Sequence, residues 1–337
     1  MTNDQYYSFA NLFARVRAKG WGGDARNGDG IRTLFVESRG DLIQPRTGRP
    51  QPPAPLDAPP VPVDDTGDRR EALADWLTAP ENPYFTRSIA NRVWAALFGR
   101  GIVESVDDLR LSNPASNEPL LAAIAERLVD KDYDLKALIR IILQSETWQR
   151  SSDVLPENRD EMRYFSRHYP QRLMAEVLHD AISSVTGVPT AFKQIRLSDG
   201  STQNTSFYPE GTRALQLYDS AVKNYFLKTF GRNEREITCE CERTARPSMV
   251  QVLHLSNGDT LNTKLASDKS RVKELMALAE PELVDRAYLL CFSRFPDEAE
   301  REGLSRLLAE SPADQKRSAV EDLFWALMTS REFLFQH

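Results

Sequence analysis

Between residues 69 and 150 the apolar side chains recur at helical spacing, and this pattern limits the fold more than any other feature of the chain. The stretch opens with Arg69-Arg-Glu-Ala-Leu-Ala-Asp-Trp-Leu. It passes through Asn91-Arg-Val-Trp-Ala-Ala-Leu-Phe-Gly-Arg-Gly-Ile-Val-Glu and closes with Leu135-Lys-Ala-Leu-Ile-Arg-Ile-Ile-Leu-Gln-Ser-Glu-Thr-Trp. The spacing predicts helices over 69–78, 83–98, 119–131 and 134–149. Gly99 is placed to end the second helix in the left-handed region, where a residue without Cβ carries no penalty. Asn117 and Asp134 offer side-chain acceptors to the free amides that open the third and fourth. In the fourth, Leu135, Leu138, Ile139, Ile142 and Leu143 form an i, i+3, i+4, i+7 stripe.

A fifth helix is predicted over 170–185. Helical periodicity returns at 247–256, 259–266, 271–278, 281–292, 297–309 and 314–330, punctuated by Pro281, Pro296 and Pro312 at helix starts. Between them the helical period is lost and Gly, Ser, Thr, Asn and Pro recur, with Thr212–Tyr218 as a candidate short strand. The expected fold is mostly α, a multi-helix bundle with a long irregular insertion and at most a few short strands.

Ahead of the helices the chain changes character. Tyr6, Tyr7, Phe9, Leu12, Phe13 and Val16 predict a helix ended by Gly20, Gly22 and Gly23, followed by a strand from Ile31 to Glu37. Residues 45–62 hold eight prolines, which lack an amide donor and fix φ, so an extended stretch that is neither helix nor sheet is expected. The expected organisation is an N-terminal segment 1–44, a proline-rich linker 45–67 and a helical domain 68–337. The helices are expected to share one core; the alternative is two subdomains, 68–187 and 246–337, around irregular 188–245.

Totals exclude several classes. The net charge of -6 argues against a general nucleic-acid binder, which needs a basic surface to displace counterions. No apolar run approaches the roughly 20 residues that cross a bilayer, so no transmembrane segment is expected. The N-terminus lacks the basic start and apolar core of a signal peptide. Three cysteines, Cys239, Cys241 and Cys291, are too few for a disulfide scaffold.

The blocks Asn91-Arg-Val-Trp, Gly99-Arg-Gly-Ile-Val-Glu, Asp107-Asp-Leu and Asn113-Pro-Ala-Ser-Asn-Glu-Pro-Leu-Leu resemble a family of uncharacterised proteins, the domain of unknown function numbered 1553, abundant in planctomycetes and related bacteria. The resemblance continues through Ser145-Glu-Thr-Trp, Pro170-Gln-Arg-Leu-Met-Ala-Glu, Gly211-Thr-Arg-Ala, Cys239-Glu-Cys-Glu-Arg and Ser330-Arg-Glu-Phe-Leu-Phe-Gln-His, covering roughly 68–337. It implies an extracytoplasmic protein associated with polysaccharide use. It also implies an upstream companion domain, whose tail residues 1–44 resemble, and often a cytochrome c-like module. This chain has no Cys-x-x-Cys-His, so no haem is expected in it.

Four groups of residues could carry chemistry. Cys239, Cys241 and His254 could supply three ligands to zinc or a soft metal, although Cys-x-Cys is tighter than the usual zinc spacing. Arg235 and Arg243 beside the same thiols would raise their reactivity. Gln251, His254 and Asn257 form a polar stripe that could line a cleft and position a sugar or water; alternatively they satisfy buried backbone groups beside the Asn257-Gly258 turn. Arg92 could clamp Asp107 or Asp108 structurally, and Arg213 could hold an acidic ligand.

Arg172, Glu176 and Asp180 at i, i+4 and i+8 predict an exposed ion-pair ladder; His179 sits beside them with no Ser or Cys nucleophile tied to it by a motif. Asn27-Gly-Asp29-Gly30 lacks the Asp and Glu of a calcium loop, having Ala25 and Val36 there. There is no Walker loop, dinucleotide-binding glycine pattern, His-Glu-x-x-His or Gly-x-Ser-x-Gly. The expected function is therefore a binding or scaffold module that takes a partner domain, another protein or a glycan. The alternative is a hydrolytic or redox, metal-dependent enzyme with its site in 211–257.

Overall fold

The computed structural model describes residues 1–21, 31–197, 199–217, 221–233 and 248–336. They form two compact units, Met1–His168 and Tyr169–His337. Helices dominate both, and the strands among the described residues lie in short two-stranded sheets, so the fold is mostly α. No helix among the described residues is long and apolar enough to cross a membrane.

The first unit begins with α1 (Asn3–Asn11), closed by a capping box in which Thr2 and Gln5 satisfy each other's backbone amides. The helix ends at Asn11, well before the predicted glycines. The Asn11 side chain is committed elsewhere: it donates to the Gln51 carbonyl at 2.6 Å and accepts from the Leu42 amide at 2.6 Å. The chain then enters an antiparallel hairpin, β1 (Val16–Trp21) with β2 (Ile31–Val36), whose register pairs Val16 with Val36. Backbone partners across the hairpin replace those a longer helix would have offered.

The proline-rich stretch opens in a second antiparallel pair, β3 (Ile43–Gln44) with β4 (Arg49–Pro50), where no sheet was expected. Pro50 is tolerated because the ladder is short and a proline at an edge leaves no needed donor missing. Beyond it, the Ala54 amide bonds the Ser8 carbonyl, and Arg15 and Arg69 both donate to the Val63 carbonyl at 2.9 Å. Buried Arg69 also pairs with Asp41 at 2.7 Å.

Helices α2 (Arg70–Thr78), α3 (Phe85–Phe98), α4 (Glu118–Asp130) and α5 (Leu135–Leu143) follow close to their predicted starts. Gly99 ends α3 at φ 74°, and the Asn117 and Asp134 side chains cap α4 and α5. The last helix stops short of Gln149 because Ser145 turns back, donating to the Ile142 carbonyl and accepting from the Trp148 amide. Trp94 stacks on Phe98 at 4.2 Å, and Phe165 meets both edge-on at 5.3 Å, centring this unit's core.

In the second unit β5 (Gln171–Arg172) pairs with β8 (Phe335–Gln336), so the chain enters and leaves side by side. That ladder holds Arg172 extended and delays α6 to Ala175–Thr186, later than the predicted start. A hairpin of β6 (Gln194–Arg196) and β7 (Thr202–Asn204) leads to α7 (Tyr225–Thr229). Then come α8 (Met249–Asn257), α9 (Asp259–Ala266), α10 (Arg271–Leu275), α11 (Glu280–Phe292), α12 (Glu298–Glu310), α13 (Lys316–Thr329) and α14 (Arg331–Leu334).

Thr212–Leu217 is not a strand: Ala214–Gln216 is a single 3₁₀ turn, its Ala214 and Leu215 amides held by the Asp180 carboxylate at 2.6 and 3.1 Å. The described part of the irregular region contributes core residues. Phe192, Ile195, Phe226 and Phe230 pack in one cluster with Leu178 and Ile182 of α6, Leu261 and Leu265 of α9 and Phe324 of α13. Each fully buried Phe contributes on the order of 2–3 kcal/mol of transfer free energy.

Candidate functional site

A polar cleft of about 800 Å³ lies in the second unit between α6 and α9. One wall is α9. Its Leu261 and Leu265 enter the core, while Thr260, Thr263 and Lys264 line the cleft at i, i+3 and i+4. Asp259 opens the helix and Ser267 and Asp268 follow it, adding a carboxylate at each end. The other wall is His179 of α6 with the Val188–Thr190 turn, and Asn224 closes one side.

Gly258 sets the direction of α9. A Cβ there would sit 2.3 Å from the His254 carbonyl, so only glycine lets α8 and α9 meet at this corner. The consequence for the site is that Thr260 stands against His254. The His254 Nε2 lies 3.1 Å from Thr260 Oγ1, and the ring packs on Tyr225, Phe226 and Phe230. Burial lowers the His254 pKa, with Asp259 opposing. His254 therefore supports the cleft wall from behind.

Two titratable groups are buried where the walls converge. His179, 1% exposed, places Nε2 3.1 Å from Thr190 Oγ1 and Nδ1 3.7 Å from Asp180 Oδ1. Burial, helped by the nearby Lys264 charge and opposed by Asp180, lowers this imidazole to about 4, so it is neutral at neutral pH. Lys264, 6% exposed, donates to the Val188 carbonyl at 2.5 Å. Burial brings its ammonium down to about 8, with Asp180 opposing. Perturbed groups converging on a cleft mark a candidate functional site.

The residues singled out in the sequence fall in several places. Gln251 is buried and ties α8 to α7, donating to the Thr229 carbonyl at 3.0 Å and accepting from the Ser248 amide at 3.3 Å. Asn257 is exposed, so of this stripe His254 is the member joined to the cleft by a hydrogen bond. Arg213 is exposed, its amide bonded to Gln216 Oε1 at 2.9 Å. Cys239, Cys241, Arg235, Arg243 and the Asn27–Gly30 segment lie outside the described residues. Among the described residues no three His, Cys, Asp or Glu groups are clustered to hold a metal. Burial raises the Cys291 thiol to about 12, which leaves it un-ionised.

Arg92 pairs with Asp107, while Asp108 pairs with Arg110 at 2.6 Å, and both pairs belong to the first unit. Hydrogen bonding from Arg110, above all, holds the Asp108 carboxyl below its ordinary range. Beside them, fully buried Asn91 accepts from the Val103 amide at 2.9 Å and donates to the Val103 carbonyl at 3.0 Å. A Cβ on Gly101 would sit 2.9 Å from Asn91 Oδ1. Asn91 therefore stitches the following loop to α3. The end of the chain behaves alike: Arg294 donates to both Glu300 and Glu332, and Phe333 is buried.

The exposed ladder expected of Arg172, Glu176 and Asp180 is not what forms. Glu176 and Asp180 are largely buried, Glu176 facing Arg232 at 3.6 Å and Asp180 holding the 214–215 turn. The cleft's Thr190, Thr263 and Lys264 were missed by the sequence reading. Their available signal was a polar residue inside an apolar stripe: His179 beside Leu178 and Ile182, and Lys264 between Leu261 and Leu265.

A family model described as protein of unknown function (DUF1553) matches residues 69–308, spanning the α3 clamp and the whole cleft. No curated protein and no solved structure matches the chain. With most of its length matched, including the stretch that builds both the Asn91 loop and the α6–α9 cleft, the chain belongs to the DUF1553 family.

Proposed function

We propose that the chain is a binding module whose second unit takes a hydroxyl-rich ligand, a glycan, in the α6–α9 cleft. The observation that carries the reading is the composition of the walls. Thr190, Thr260 and Thr263 offer hydroxyls, Asn224 an amide, and Asp259 and Asp268 carboxylates. Such groups exchange hydrogen bonds with sugar hydroxyls in both directions. Membership of the family supports setting this module in an extracytoplasmic protein with an upstream companion domain, often with a cytochrome c-like module, in polysaccharide-using bacteria such as planctomycetes. In that setting residues 45–67 join the companion segment to the helical part.

A hydrolytic reading has one observation in its favour, the Thr190 hydroxyl 3.1 Å from His179 Nε2 at the cleft. An imidazole lowered to about 4 is a weak base, which favours binding over proton abstraction. The redox or metal reading rests on Cys239 and Cys241, and metal analysis of the chain with and without Cys241→Ser tests it.

Titration of a panel of neutral and acidic oligosaccharides by calorimetry tests the binding reading. Saturable heat that falls about tenfold or more in affinity with Thr260→Val combined with Asn224→Ala supports it. No heat across the panel, or equal affinity in the double variant, contradicts it.

A further inference from the structure

Lys264 is a cleft group that hydroxyl recognition does not require. Its amine is nearly buried on the wall, where it makes one hydrogen bond, to the Val188 carbonyl, and no ion pair among the described residues. The titratable groups around the cleft are His179 and Asp180 on α6 and Asp259 and Asp268 at the ends of α9. None of the described lining residues supplies a second fixed cation, since His179 is held neutral. Asp268 is already paired with Arg317 at 3.2 Å, so a carboxylate or phosphate ligand would meet the Asp259 carboxylate, with Lys264 as the one cation among the described lining residues. A neutral polyol with a carbonyl group meets hydroxyl partners and one amine.

We propose that Lys264 captures the aldehyde of a small neutral sugar, or of a sugar chain end, as a reversible imine; this rests on the cleft being the ligand site. The neutral amine's lone pair forms a bond to the carbonyl carbon, and the carbonyl oxygen takes up the proton that nitrogen gives up. The carbinolamine then loses its hydroxyl, which leaves as water with the remaining proton of the nitrogen, while the carbon–nitrogen double bond forms. Nothing is oxidised or reduced, and hydrolysis returns both partners. The environment favours the step: burial leaves a larger fraction of this amine uncharged near neutral pH than in an exposed lysine, whose pKa is near 10.4.

The test is reductive trapping on the intact chain. The protein is incubated with glycolaldehyde and cyanoborohydride near neutral pH, and each lysine's labelling rate is read by peptide mass spectrometry. Lys264 is expected to label at least ~10-fold faster than exposed Lys193, Lys223 and Lys269, with a rate whose pH midpoint is near 8. Lys264→Arg is expected to abolish only the fast component. Labelling of Lys264 no faster than the exposed lysines, or a fast component that survives Lys264→Arg, overturns the proposal. The readout needs no oligosaccharide affinity: selective labelling without calorimetric binding removes the glycan reading and leaves the reactive amine, while binding without selective labelling does the reverse.

Discussion

The loop after α3 and the cleft beside α9 both gather buried polar side chains that bond backbone, but only the second sets them along an open cleft. Around Asn91 the side-chain amide is spent on backbone: it accepts from and donates to Val103, with Gly101 pressed against it. Around Lys264, whose amine bonds the Val188 carbonyl, Thr190 and Thr260 meet His179 and His254 while lining an open cleft together with Thr263 and Asp259. The first arrangement fixes a loop; the second can receive a ligand. The difference teaches that in this chain the block around Asn91 marks a folding constraint, whereas the candidate site consists of polar residues interrupting otherwise apolar helix faces.

The comparison can be broken first at Asn91. Asn91→Leu removes both hydrogen bonds to Val103 and a longer one to the Val106 carbonyl and strands the Val103 amide and carbonyl, so it is expected to cost ~2–4 kcal/mol of unfolding free energy in denaturant melts. A cost below ~1 kcal/mol would show that the loop does not depend on it. The same substitution is expected to leave ligand binding by the second unit unaltered once the protein is folded.

The next effect is a dependence on pH. His179 is lowered from 6.5 to about 4 in the folded chain, so the unfolded chain binds more protons between those values. The stability it contributes is fully present above 6.5 and is lost as pH falls towards 4, on the order of 1–3 kcal/mol. Melts across this window are expected to show that slope in the wild type and a flatter one in His179→Gln. Equal slopes would mean the imidazole is solvated.

Arg294→Met should have a smaller effect, about 1 kcal/mol, because the paired groups are part-exposed although Arg294 reaches two carboxylates. It also frees Glu300, which the hydrogen bond from Arg294 holds at about 2; Glu300 should then titrate higher, measurable by NMR. Smallest is Arg92→Met. Its partner Asp107 is part-exposed, and a loss below ~1 kcal/mol is expected in the same melts.

Helix identity was legible because caps and stripes are local. Asn117 and Asp134 cap where their spacing placed them, and Gly99 adopts the left-handed conformation. The errors arose where a side chain satisfies distant backbone. Asn11 ends α1 by bonding residues 42 and 51, and Asp180 turns 214–215 into a 3₁₀ bend. Such partners have no fixed sequence spacing. The cleft was partly legible: His254 was read correctly as a helix residue, but its link to Thr260 depends on the tight Gly258 corner. His179 and Lys264 blended into amphipathic faces because one polar residue barely disturbs an apolar stripe.

Backbone amide chemical-shift mapping with the oligosaccharide that binds best tests the central claim most directly. Perturbations concentrated at Val188, Thr190, Asn224 and Thr260 through Ser267 are the predicted result. Perturbations confined to the Asn91 loop and the rest of the first unit would contradict it.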